Sequence, residues 1–99
     1  MQIDDIPDMA TLRAHIDTVD EQLIALLAQR HALIARAAQI KAQIGLPARI
    51  DNRVEEVVAN VGRQAASRGL DPALIENIWR QLVEAAIAQE DRYLEGNRP

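Results

Sequence analysis

Residues 8–44, DMATLRAHIDTVDEQLIALLAQRHALIARAAQIKAQI, decide the fold. Leu12, Ile16, Val19, Leu23, Leu26, Arg30, Leu33, Ala37, Ile40 and Ile44 succeed one another at alternating spacings of four and three, the a/d pattern of a helix–helix interface. Arg30 stands where a leucine is expected. A guanidinium in such a seam is costly to desolvate unless it is paired, so this position wants either a buried carboxylate or an anionic ligand.

Outward from this stretch, prolines fall only at residues 7, 47, 72 and 99 and glycines only at 45, 62, 69 and 96, which leaves three helical segments and no competing strand pattern. The first helix is expected to start at Asp8 as N-cap and to stop before Gly45 and Pro47. At 1.5 Å per residue it would span roughly 55 Å, against a radius of gyration of about 13 Å for a compact globule of this size. Part of it is therefore expected to bury its seam on a second copy, giving an intertwined all-α homodimer. The second helix is expected from Asp51 as N-cap to Gly69, with Val54, Val57, Val58, Val61 and Ala65 on one face and Gly62 simply tolerated inside it. The third follows Asp71 and Pro72, shows Leu74, Ile75, Ile78, Trp79, Leu82, Val83, Ala86 and Ile87, and fades near Gly96. Residues 1–99 read as one helical domain, with 1–7 flexible and 96–99 a tail.

Composition narrows the function. A net charge of −4 with 2% aromatic residues argues against a nucleic-acid surface, which needs a basic face and stacking rings. The absence of cysteine removes disulfides and thiolate metal sites, and the acidic start MQIDDIPDM resembles no secretory leader. With no apolar run of membrane-spanning length, the chain reads as soluble, untargeted and cytoplasmic. His15 and His31 are sixteen residues apart and about 160° out of phase, with no carboxylate cluster beside them, so no metal site is expected.

The remaining candidates are cations and one acid. Arg30 and Lys41, eleven residues apart, point within about 20° of each other and lie roughly 16 Å apart along a helix, so both can reach one small anion. Arg13 is about 100° round the cylinder and about 25 Å from Arg30, so it could join such a site only from a partner chain. Taken singly, Arg13 and Lys41 also fit plain surface solvation. Arg53 falls in the first turn of the second helix, where a cation opposes the macrodipole; a bound anion would explain it, and so would balance by Asp51, Glu55 and Glu56. Glu90 is in phase with Trp79, Val83 and Ala86 on an apolar face. A neutral Glu90 would be a hydrogen-bond donor, whereas a charged one would pair with a core arginine, Arg30 included.

Together LRAHIDTVDEQLIALLAQR, IKAQIGLP, Arg53, GLDPALIENIWRQLVE and AQE resemble the all-helical AroQ-class chorismate mutases and the related isochorismate pyruvate lyases, over about residues 10–95. The resemblance implies a three-helix chain that dimerises through its long first helix, with no cofactor. It makes Arg30, and Arg13 of the partner chain, clamps for the two carboxylates of a dianionic substrate, with Arg53 in support. Lys41 and Glu90 would flank the ether oxygen whose bond breaks as chorismate rearranges to prephenate. Three positions depart from the family pattern: Glu90 is often glutamine, Val54 stands where a glutamate commonly reads the ring hydroxyl, and Ala86 stands where a serine is common. Those changes leave isochorismate, or an aminated analogue of chorismate, as alternative substrates. A non-catalytic helical dimer, its seam arginine in an inter-chain salt bridge, is the reading from outside enzymology.

Overall fold

The computed structural model describes residues 2–97; Met1, Arg98 and Pro99, and with them the outer ends of the expected flexible start and tail, lie outside the described residues. A single 3-10 turn, Ile3–Asp5, precedes three α-helices: α1, Met9–Ile44; α2, Asp51–Ser67; and α3, Pro72–Gly96. Among the described residues there is no strand. Among the described residues, no helix is long and apolar enough to cross a membrane.

The helix ends follow from local chemistry. Asp8 caps α1, its Oδ1 accepting from the Thr11 N–H at 2.7 Å, and that bond holds the Asp8 carboxyl below its ordinary value. At the other end Gly45 adopts φ +75°, and the Leu46 N–H reaches back to the Lys41 carbonyl at 3.0 Å. This is the Schellman arrangement, which requires a left-handed residue that glycine supplies without strain. Gly69, also at φ +75°, ends α2 in the same way, with Leu70 N–H on Ala65 O at 2.9 Å. Asp71 caps α3 through the Ala73 N–H, with Pro72 at the first helical position.

The start of α2 differs from expectation by one residue. Ile50, not Asp51, is the N-cap, and its carbonyl accepts from Arg53 and Val54; no side chain caps the turn. Asp51 is instead the first helical residue, where its charge still complements the positive end of the helix. Gly62 is also more than tolerated. It is buried, and a Cβ there would sit 3.0 Å from the Glu76 Cδ, so its bareness makes room for that side chain.

The chain divides into two compact units, one ending at Ala32 and one beginning at Leu33, and α1 runs through both. In the first unit no described residue is buried, and the seam residues Ile16, Val19, Leu23 and Leu26 are 50–60% exposed. Taking the remaining half of each such side chain out of water would contribute roughly 1 kcal/mol. In the second unit α2 packs on α3, with Val58, Ala65, Val83 and Ile87 buried. Ala48, from the connection between α1 and α2, joins Val83 and Ile87 in one cluster, against which Val54, Val57 and Leu94 pack. The end of α1 enters this unit through Ala38, 1% exposed, on a face distinct from the heptad seam.

Candidate active site

Within the second unit three groups meet at the end of α1. Lys41, in the last helical turn, donates from Nζ to the Ala48 carbonyl at 2.7 Å and to Glu90 Oε2 at 2.9 Å. Both distances suit charge-assisted bonds. Glu90 is only 4% exposed, placed there by the helical phase it shares with Val83 and Ile87 on the apolar face of α3. The ion-pair partner of Glu90 is therefore Lys41, not the core arginine that sequence reasoning considered. Glu90 Oε2 is committed as an acceptor, so any hydrogen bond that Glu90 donates must leave from Oε1.

An ammonium carries three N–H donors, and two of those on Lys41 are used by the protein. Among the described residues the third has no acceptor. Lys41 is also the only lysine of the sequence, every other basic residue apart from the two histidines being arginine. A compact ammonium can fit between two acceptors and still offer a donor, whereas a planar guanidinium fork would not fill the same place.

Among the described residues, no other candidate cation bonds to Glu90. Arg53, in the first turn of α2, is exposed and bonded to Glu56, one of the acids expected to balance it. Glu55 pairs instead with Arg80, across to α3 at 3.2 Å. Val54 is half-buried against the Ala48, Val83 and Ile87 cluster, and Ala86 is half-buried on α3. Arg13 and Arg30 belong to the first unit, Arg13 exposed and Arg30 half-buried; among the described residues neither forms an ion pair. His15 and His31 are exposed, and no group of His, Asp or Glu among the described residues could hold a metal ion.

Two features escaped the sequence. One is the Ala48 carbonyl, a backbone group with no side-chain signature. The other is an exposed ion pair at 2.6 Å between Arg49 and Glu84, which ties the α1–α2 connection to α3. The hydrogen bond from Arg49 holds the Glu84 carboxyl below its ordinary value and, reciprocally, pushes the Arg49 guanidinium up. A groove of about 400 Å³ lies at the same end of the unit, walled by Lys41, Pro47, Ala48, Asp91, Leu94 and Asn97. With one cation and one acid on its walls, this groove by itself does not suit a dianion.

These features define an all-α protein that carries one ammonium, held by a nearly buried carboxylate and a loop carbonyl, with a donor to spare. The chain belongs to the chorismate mutase type II family, whose pattern it matches over residues 12–91. It is 28% identical to a chorismate mutase of Methanocaldococcus jannaschii over 90 residues, 91% of each chain. It is 30% identical to a 4-amino-4-deoxychorismate mutase of Streptomyces venezuelae over 84 residues, 85% of this chain and 82% of that one. A T-protein of Enterobacter agglomerans is 31% identical over 86 residues, which are 87% of this chain but 23% of the T-protein. The chain thus spans about a quarter of that relative.

Proposed function

We propose that the protein is a chorismate mutase, rearranging chorismate to prephenate in a site completed by a second copy of the chain. The observation that carries this reading is the Lys41 ammonium, anchored by Glu90 and Ala48 with one donor unspent, in a chain of this family. In the rearrangement the ether C–O bond breaks as a C–C bond forms, and negative charge grows on the departing oxygen. Lys41 meets that charge with a preorganised donor, and Glu90, flanking the same oxygen, adds a donor of its own only when protonated, through Oε1. Arg30, and Arg13 from the partner copy, bind the two substrate carboxylates, and Arg53 supports them from the start of α2. No proton transfer or covalent intermediate is needed. Rate enhancement comes from holding the folded dianion and from electrostatics fixed in advance of the reaction.

The seam of the first unit supports the homodimer, because several large apolar side chains there are half or more exposed within their own chain. The acidic net charge is no obstacle, since cations focused in a cleft outweigh distant surface acids.

A second reading rests on Val54 and Ala86, neither of which offers a polar group to a ring hydroxyl. It makes the substrate an aminated chorismate analogue, or isochorismate with release of pyruvate and salicylate. Side-by-side assays with chorismate, isochorismate and the amino analogue separate these readings. Prephenate from chorismate as the dominant product, with Arg30→Ala inactive, is the expected result; an Arg30→Ala variant as active as the parent rejects the site.

A further inference from the structure

The α1–α2 connection holds Lys41 at both of its ends. On the backbone side, the Leu46 N–H bonds the Lys41 carbonyl at 3.0 Å, a geometry made possible by Gly45 at φ +75°. On the side-chain side, the Ala48 carbonyl accepts from Lys41 Nζ at 2.7 Å, the shorter of that nitrogen's two bonds. Ala48 is itself 5% exposed and locked against Val83 and Ile87, with Val54, Val57 and Leu94 around them. The acceptor is therefore as rigid as the core that carries it. A lysine side chain has four rotatable bonds and would otherwise have to be ordered at the moment of ligand binding.

We propose that Ala48 is a positioning residue: its backbone carbonyl, carried by residues 45–48, sets the direction of the free third N–H of Lys41. This deepens the proposed mutase reading and rests on it. Glu90 supplies the countercharge and Ala48 the second fixed direction. With two of three tetrahedral N–H vectors anchored, the third has one orientation left. Replacing Ala48 by another amino acid does not remove a carbonyl, and for that reason no sequence pattern reports the role.

The test is to replace the Ala48–Arg49 peptide bond by an ester, whose carbonyl is a weaker acceptor, and to read two signals from the full chain. Because Lys41 is the only lysine, its side-chain ammonium resonance is identified without ambiguity by NMR. The expected result is a kcat on chorismate lowered roughly five- to tenfold, the scale of one weakened charge-assisted bond, with KM within about twofold and faster exchange of the Lys41 ammonium protons. Parental kcat and parental exchange in the ester variant overturn the proposal. Should the ester variant not fold, Gly45→Val and Gly45→Asn take its place, since both add a side chain at φ +75° but asparagine tolerates that region. The valine variant should lose kcat and speed ammonium exchange, and the asparagine variant should recover both; parental values in both variants overturn the proposal. If the parent fails to convert chorismate, the mutase reading falls, and the ammonium exchange alone decides whether Ala48 anchors the lysine.

Discussion

The two units of the chain solve opposite problems. From Leu33 onward, small apolar residues, a glycine and one carboxylate are buried within the chain, and the one charge taken out of water has a cation at 2.9 Å. Up to Ala32 no described residue is buried, although this unit holds the longest apolar repeat of the sequence. The difference teaches that the second unit buries a core of its own, whereas the first leaves its apolar seam half exposed. It also divides the candidate cations: Lys41 is already fixed in place, while Arg13 and Arg30 lie on the unit whose apolar face is open.

The strongest way to probe the finished half is Lys41→Ala. If Lys41 is the donor proposed for the developing oxyanion, its loss should lower kcat by about 10²–10³-fold in a steady-state chorismate assay. The strongest probe of the open half is Leu23→Asp. If the proposed dimer buries this seam between two copies, a carboxylate there should convert dimer to monomer in sedimentation velocity, with helicity lost from α1 in circular dichroism. A variant that remains dimeric would place the interface elsewhere.

Smaller effects sharpen the same contrast. Gly69→Ala puts a Cβ on a left-handed residue with no neighbour to clash, so it should cost about 1 kcal/mol of stability in urea unfolding. Because Gly69 ends α2 inside the second unit, that loss should be independent of protein concentration if this unit is self-supporting. The smallest effect is expected at the surface pair. Glu84 is held below its ordinary carboxylate value, first by the hydrogen bond from Arg49. A depressed carboxyl stabilises the fold above its unfolded value, and this contribution is lost as pH falls through the lower folded value. Glu84→Gln should therefore lower the neutral-pH melting temperature slightly and flatten its acid limb, the size limited by solvent screening.

Much of this was written in local sequence. The Asp8 and Asp71 caps, the Pro72 start and the two glycine stops follow from chemistry within a few residues of each helix end. The heptad seam was legible because large aliphatic residues mark it. The second face of α1 was not, since Ile34, Ala38 and Lys41 form a stripe diluted by the surrounding alanines. The one-residue shift at α2 arose because Ile50 caps with its backbone alone, leaving no side-chain signal. For the candidate site, helical phase placed Glu90 on the apolar face, but periodicity cannot report a pairing across 49 residues, and only the family resemblance set Lys41 beside it. Arg53 shows the opposite limit: its unusual position was plain, yet the structure gives it only a near neighbour on its own helix.

The central claim is that each site draws Arg13 from one copy and Lys41 from the other. Its most direct test mixes two variants, Arg13→Ala and Lys41→Ala, each nearly inactive alone, under conditions that exchange subunits. In a two-fold dimer about half of the re-formed dimers are mixed and each has one intact site, so activity should return to about one quarter of the parental value. A mixture no more active than its two components measured separately would contradict the claim.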